Sequence, residues 1–131
     1  MKYAELKNKI QGEINDFPIE FAFNTKQFEK AIARLGAKKE ECCTIWSGGI
    51  IRLTDRKAFF EMTSRHNTEL DEAMKEDDFM VDAIHYELGN HEFCITNDPA
   101  DTLETLGISL EDKRTLKLFG LAEKQYLDEQ K

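Results

Sequence analysis

Apolar residues recur every three or four positions along most of this chain, which is the spacing of one face of an α-helix. In the first such segment they are Tyr3, Leu6, Ile10 and Ile14. Similar stripes begin at Phe28, Phe59 and Met80, and a last stripe runs from Leu116 to Tyr126. This periodicity predicts a fold in which helices dominate.

Residues that favour helix ends separate these stripes. Asn24 is typical of an N-cap, with Gln27 three residues later as a capping-box partner. Gly36 supplies the left-handed position that commonly follows a helix, and Gly107 is expected to end the helix before it. Ser109 is expected to open the last helix.

Residues 42–53 carry the clearest hairpin pattern. Two β-prone runs flank Ser47-Gly48-Gly49, and adjacent glycines accept the positive φ that a tight turn requires. Residues 19–23 are a further expected strand, and residues 91–96 are expected to be a short strand or a loop. The prediction is an α+β fold in a single domain, residues 1–131. It has five or six helices packed on a small, mostly antiparallel sheet of three or four strands, with the hairpin at about 42–53.

Size and composition exclude several classes of protein. The chain has 131 residues, 40% of them hydrophobic, which suits one domain with a buried core. No apolar run approaches the roughly 20 residues that span a bilayer, so no membrane contact is expected. The net charge of −8 disfavours direct nucleic-acid binding. The chain has three cysteines, and all three are expected to be buried. Because this number is odd and the first residues lack a signal-peptide pattern, a cytoplasmic protein is favoured.

Charge is distributed unevenly along the sequence. Residues 69–112 carry fourteen Asp and Glu against the single base Lys75, whereas residues 1–68 have a net charge of +3. Crowded like charges repel and cost stability, which a protein can tolerate when the resulting field is useful. An acidic face attracts a basic protein surface, and it can compete with phosphate for Lys and Arg sites.

The predicted partner-binding residues form the densest part of this segment. They are Glu69, Glu72, Glu76, Asp77, Asp78 and Asp82. Two other interpretations remain open: a solvated face that only keeps the protein soluble, and a divalent-metal site. The expected partner is a basic host protein, for instance a nucleic-acid-binding defence protein, with no cofactor and no metal.

A second candidate site lies beside a predicted helix end. Tyr86, Asn90, His91 and Glu92 carry side chains that bind a metal or a small polar ligand. No HExxH, GxSxG or CxxC pattern occurs, so no catalytic residue is assigned and a binding protein is favoured over an enzyme. His66 lies on an apolar stripe and is expected to be a core histidine.

One segment supports a family resemblance. Residues 86–96, Tyr-Glu-Leu-Gly-Asn-His-Glu-Phe-Cys-Ile-Thr, are followed by Asp98-Pro99 and Asp101-Thr102-Leu103. Together with the Gly48-Gly49-Ile50-Ile51-Arg52 turn and the Lys2-Tyr3 start, this segment resembles a family of small uncharacterised proteins carried by phages and mobile elements of bacteria. The resemblance covers roughly residues 1–107 and brings no known catalytic residues.

The resemblance implies a cytoplasmic setting and an accessory role during phage or element propagation. Many small acidic phage proteins act by binding a host protein, and inhibitors of host defence, including anti-CRISPR proteins, are one such group. The resulting expectation is a non-enzymatic acidic protein that binds a basic host protein and inhibits it. The alternative is a small-ligand or metal-binding domain that uses residues 85–92, and the oligomeric state is not predicted.

Overall fold

The structure, a computed structural model, describes residues 2–131, in which seven α-helices and three β-strands form. The helices are α1 (Tyr3–Asp16), α2 (Thr25–Arg34), α3 (Arg56–Met74), α4 (Asp77–Asn90), α5 (Phe93–Thr96), α6 (Ala100–Leu106) and α7 (Lys113–Glu129). The strands are β1 (Glu20–Phe21), β2 (Cys42–Thr44) and β3 (Gly49–Arg52). The fold is mostly helical with a small sheet, broadly the predicted α+β class, with more helices than the five or six expected.

The three strands form one antiparallel sheet in the order β1-β3-β2, and β2 and β3 are the predicted hairpin. The turn differs from the prediction, because Ser47 and Gly48 have positive φ (57° and 76°) whereas Gly49 is extended at −74°. A Cβ atom on Gly49 would come within 2.6 Å of the Ile45 side chain. Close packing, not backbone conformation, is therefore what favours glycine at position 49.

The prediction of a strand or loop over residues 91–96 is wrong, since they contain the single helical turn α5. The residues on either side of this turn, Glu92 and Asn97, both adopt the left-handed conformation with φ of 53°. Phe93 is buried, and the backbone N–H of Cys94 donates a 3.3 Å hydrogen bond to the Tyr126 hydroxyl. These contacts with α7 hold a turn that residue spacing alone does not indicate.

The helix ends confirm the sequence predictions in part. Asn24 caps α2 as predicted, because its side chain accepts the backbone N–H of Gln27 at 2.8 Å. The last helix begins later than expected: Asp112, not Ser109, is its N-cap and accepts both the backbone N–H and the hydroxyl of Thr115 at 2.9 Å. A glycine with positive φ follows α2 and α6, as predicted.

The chain divides into two compact units, of which the first, unit 1, comprises residues 2–8 and 69–131 of the described chain. Its core is packed mainly between α4 and α7. The buried members are Met80, Ile84, Leu88, Phe93, Leu118, Phe119, Ala122 and Tyr126. The acid-rich segment thus buries its apolar side chains here, and most of its carboxylates are exposed.

Unit 2 comprises Lys9–Thr68 and contains the sheet and α2. Ala31 and Leu35 of α2 form a buried cluster with Ile50 of β3. Phe59 of α3 is 1% exposed, and its ring contacts the ring of Phe17 at a centroid distance of 5.5 Å. The short sheet is therefore stabilised by helix packing and aromatic contacts more than by its few ladder hydrogen bonds.

His66 is buried in unit 2, as predicted for a core histidine, and its Nε2 is hydrogen-bonded to Glu13. The Arg65 guanidinium also donates to the Glu13 carboxylate, with one N–O distance of 2.9 Å. The hydrogen bonds from Arg65 and His66 lower the pKa of Glu13 to about 2. The charged form of Glu13 is thus favoured in the folded protein.

All three cysteines are free thiols, with Cys42 and Cys43 half-buried and Cys94 exposed. The expectation that all three are buried is therefore wrong for Cys94.

None of the helices within residues 2–131 combines the length and the apolar composition that a membrane crossing requires.

Candidate functional site

Four of the six predicted partner-binding carboxylates lie at the junction of α3 and α4, and we call these four the acidic corner. Glu72 lies in the last turn of α3, Glu76 is the N-cap residue of α4, and Asp77 and Asp78 are its first two residues. All four are exposed to solvent. Because the connection between the two helices is short, successive carboxylates are held close to one another.

Only part of the charge of the acidic corner is neutralised. Lys75 donates to Glu72 at 2.8 Å, and the Arg114 guanidinium donates to Asp77 at 2.9 Å. The side chains of Glu76 and Asp78 form neither an ion pair nor a hydrogen bond within residues 2–131. Two carboxylates are therefore open to a partner at an open cavity of about 320 Å³ lined by residues 75–78.

Arg114 fixes the shape of the acidic corner. Besides Asp77, its guanidinium donates to the backbone carbonyl oxygens of Met74 and Lys75, each at 2.9 Å. Carbonyl groups at the end of a helix have no partner within the helix, and a cation there also interacts favourably with the helix dipole. Arg114 thus joins the end of α3 to the start of α7, a role that its position in the sequence does not reveal.

The other two predicted partner-binding residues are engaged within the fold. Asp82 is half-buried and accepts the backbone N–H of Tyr3 at 2.9 Å, which satisfies one of the amides at the start of α1. Glu69 is half-buried and also has a polar or electrostatic partner. The exposed acidic surface is therefore smaller than the sequence indicates.

The charge asymmetry seen in the sequence follows the division into units. Unit 1 carries eighteen carboxylates and eight Lys or Arg, a net charge of −10, whereas unit 2 has a net charge of +2. The cations that pair with the acidic corner, Lys75 and Arg114, both belong to unit 1. Unit 1 thus remains strongly anionic after its internal ion pairs are counted.

A buried polar cluster surrounds Glu87, which is 0% exposed. Its Oε1 accepts hydrogen bonds from the Tyr3 hydroxyl and the Lys7 ammonium, each at 2.9 Å. Its Oε2 lies 3.3 Å from the Asn90 amide nitrogen and 3.1 Å from His91 Nε2. Both carboxylate oxygens therefore have partners, as a buried charged group requires.

These contacts shift the pKa values of Glu87 and Tyr3. Burial by itself would raise the pKa of Glu87, but hydrogen bonds from Lys7, Tyr3 and Asn90 outweigh it, and the pKa is lowered. Burial and the hydrogen bond to Glu87 raise the pKa of Tyr3. The Lys7 ammonium also lies 5.3 Å from the ring centroid of Tyr86, within the range of a cation–π contact.

The second candidate site is thus brought together in part. Tyr86, Asn90 and His91 lie around Glu87, whereas Glu92 is an exposed residue before α5 whose side chain forms no hydrogen bond or ion pair with this cluster within residues 2–131. Sequence reasoning missed the centre of the cluster, Glu87. Its spacing of three and four residues from Asn90 and His91 on one helix was the available signal.

The arrangement of these side chains limits the chemistry at the second site. Glu87 is enclosed and fully hydrogen-bonded, so a ligand would reach not its carboxylate but the more exposed side chains around it, such as Tyr86, Asn90 and Lys7. Across the part of the chain that the structure describes, no three His, Cys, Asp or Glu side chains are arranged to hold a metal ion. The cluster has the features of a structural element that ties the start of α1 to α4.

Comparison with known protein families finds one family that matches the chain. The family described as a family of unknown function (DUF7659) matches residues 2–125. The chain belongs to this family. The DUF7659 match includes the acidic corner, the Glu87 cluster and α7 up to residue 125.

No curated protein and no solved structure matches the chain. Membership of DUF7659 is consistent with the expectation of an uncharacterised family, and the match runs to residue 125. The family description assigns no activity.

Proposed function

We propose that the protein is a non-enzymatic acidic accessory protein whose acidic corner binds a basic surface of another protein and blocks it. The observation that carries this proposal is the exposure of Glu76 and Asp78 without a cationic partner among the described residues. They lie in a corner whose backbone is held by Arg114. Because this backbone is already held in place, little backbone freedom is lost when the two carboxylates bind a cation.

Electrostatics favours this function over simple solubility. A net charge of −10 on unit 1 steers a basic partner towards it and raises the association rate. Because exposed ion pairs contribute little to affinity individually, we expect the corner to determine encounter and orientation more than the final affinity. Contacts around the corner would supply the remaining binding energy.

The partner class follows from the charge and from the resemblance to phage and mobile-element proteins. A host defence protein that holds nucleic acid presents Lys and Arg at the spacing of phosphates. Carboxylates of the acidic corner would occupy these cation sites and exclude the nucleic acid. The proposed action is therefore inhibition by competition in the bacterial cytoplasm, in the manner of an anti-defence or anti-CRISPR protein.

The test is capture of bacterial proteins by the immobilised chain at low and high salt, with two matched double variants. Glu76→Lys with Asp78→Lys reverses the two unpaired carboxylates of the corner. Glu104→Lys with Glu111→Lys makes the same change in charge at exposed positions elsewhere in unit 1. Thermal unfolding of both variants verifies that they remain folded.

We expect the wild type and the Glu104/Glu111 variant to capture the same basic protein at low salt. High salt, added duplex DNA and the Glu76/Asp78 reversal should each release it. Equal capture by both variants, or binding that does not respond to salt, would show that the acidic corner is not the binding surface. Release by salt but not by DNA would limit the proposal to a basic partner outside nucleic-acid binding.

A further inference from the structure

Unit 2 contains a small cavity that the proposed function does not use. Its volume is about 340 Å³, which lies at the lower end of the range of about 300–1,000 Å³ that is typical of small-molecule sites. The lining residues are Phe28, Lys39, Cys42, Cys43, Thr44 and Ile50. All of them belong to unit 2, so the cavity is formed within one compact unit. A cavity of this size suits a small molecule.

The inner wall of the cavity is apolar. Thr44 of β2 is the register partner of Ile50 of β3, and Cys42 lies two residues before Thr44, so these three side chains point to one face of the sheet. Ile50 is 1% exposed and belongs to the buried cluster of unit 2, against which Phe28 and Cys42 also pack. The cavity therefore opens onto the core of unit 2.

The thiol of Cys42 adds no charge to this wall. Burial, followed by the influence of the nearby Glu41 carboxylate, raises the pKa of Cys42. The thiol therefore stays in its neutral form at neutral pH, in which it behaves as a small hydrophobic group.

One side chain supplies the charge at the mouth of the cavity. Lys39 is the single charged residue of the lining and is exposed to solvent. Its ammonium forms neither an ion pair nor a hydrogen bond within residues 2–131. The hydroxyl of Thr44, which is exposed at the same cavity, is a second hydrogen-bond donor. A cation and a hydroxyl beside an apolar wall are the groups that bind a carboxylate with an apolar body.

Two other charged side chains lie close to the cavity without lining it. The Glu41 carboxylate accepts the backbone N–H of Lys38 at 2.9 Å, and Arg52 forms an ion pair with Asp55 at 2.9 Å. Both are thus engaged with groups outside the cavity. The ammonium of Lys39 is therefore the charged group that a ligand in the cavity would contact.

We propose that this cavity binds a small carboxylic acid with an apolar body, whose carboxylate pairs with Lys39 and whose apolar part lies against Phe28 and Ile50. Burial of the apolar part supplies most of the binding free energy, because an exposed ion pair contributes little. Lys39 determines the preference for an anion over a neutral molecule of the same shape. This site is separate from the acidic corner, which belongs to unit 1.

The test compares phenylacetate with phenylacetamide, two probes of nearly equal size that differ in charge. Amide NMR signals of the isotope-labelled full-length protein give the dissociation constant of each probe and the residues that respond. Alkylation by iodoacetamide at mildly alkaline pH, followed by mass spectrometry, measures access to Cys42. Cys94 is an internal reference for alkylation, since it is exposed and lies in unit 1.

Two matched variants separate Lys39 from a general effect of charge. Lys39→Gln removes the cation that lines the cavity. Lys38→Gln makes the same change in charge at the neighbouring exposed lysine, which does not line the cavity. Thermal unfolding of both variants verifies that they remain folded.

We expect phenylacetate to shift the amide signals of Lys39, Cys42 and Thr44 in a saturable way, and to slow the alkylation of Cys42 but not of Cys94. Phenylacetamide should bind more weakly. Lys39→Gln should raise the dissociation constant of phenylacetate by about fivefold, the upper end of what an exposed ion pair contributes. It should also remove the difference between the two probes, whereas Lys38→Gln should leave both affinities unchanged.

Three outcomes would overturn the proposal. The first is the absence of any saturable change in the signals of β2. The second is equal affinity of the wild type for the two probes, which would describe an apolar cavity that does not select anions. The third is an equal effect of the two lysine substitutions. The Glu76/Asp78 reversal tests a different surface, so failure of either proposal leaves the other standing.

Discussion

The hydroxyl of Tyr3 donates a 2.9 Å hydrogen bond to the carboxylate of Glu87, although 84 positions separate the two residues. Both side chains are buried, so neither can turn to water if the other is removed. Lys7 reaches the same carboxylate oxygen from the next turn of α1. The first two turns of α1 are therefore attached to α4 through a single acidic side chain.

Replacing Glu87 with alanine should lower the free energy of unfolding by about 3 kcal/mol, because the buried Tyr3 hydroxyl and Lys7 both lose their acceptor. Urea unfolding measures the change. The control is Glu104→Ala at an exposed position of α6, for which we expect a change within about 0.5 kcal/mol. Equal effects of the two substitutions would contradict a stabilising role for the Glu87 cluster.

The pKa of Glu13, lowered from 4.5 to about 2 by its contacts with Arg65 and His66, predicts a specific dependence of stability on pH. A carboxyl group with a lowered pKa in the folded state stabilises the protein fully above pH 4.5, and this contribution is lost as the pH falls towards 2. The Glu13→Gln variant should therefore be less stable than the wild type at neutral pH.

The difference between the wild type and Glu13→Gln should shrink between about pH 5 and pH 2. Urea unfolding at a series of pH values measures it. Glu61→Gln is a suitable control, since Glu61 is exposed and its contact with Lys57 is long, at 3.9 Å. A constant difference between wild type and Glu13→Gln across the acidic range would exclude this ion-pair contribution.

Thr102 is 0% exposed, and its hydroxyl has no hydrogen-bond partner within the described chain. Thr102→Val keeps the shape of the side chain and removes the cost of burying a polar atom, so it should stabilise the protein by about 1 kcal/mol. Thr115→Val is the contrasting variant, because the Thr115 hydroxyl donates to Asp112 at 2.9 Å. Thr115→Val should destabilise the protein by a similar amount. Chemical denaturation should therefore show changes of opposite sign in the free energy of unfolding of the two variants.

Sequence periodicity predicts the parts of this fold that depend on local interactions. The stripe that begins at Phe59 and the Asn24 cap involve residues within one helix, where spacing and geometry are directly related. Helix α5 was missed because it depends on the packing of Phe93 and the hydrogen bond from Cys94 to Tyr126, 32 residues later. Contacts of this kind have no periodic signal in the sequence.

The candidate sites show the same limit. The acidic corner is a run of neighbouring residues and was identified, but Asp82 could not be separated from it without knowing that it binds the backbone of Tyr3. Arg114 is 37 residues from Asp77, and nothing near it in the sequence indicates the contact. Glu87 was one of fourteen acidic residues in its segment. Its spacing from Asn90 and His91 was a signal, but its burial depends on the packing of α1 against α4.

Unit 1 is assembled from the two ends of the described chain, since residues 2–8 join residues 69–131. During translation, Tyr3 leaves the ribosome long before Asp82, its partner 79 positions later, has been made. Unit 2 is continuous in sequence, so we expect it to fold first while the nascent amino terminus is still without its partners. A fusion tag placed directly before Tyr3 would then interfere with the last step of folding, in which the start of α1 packs against the rest of unit 1.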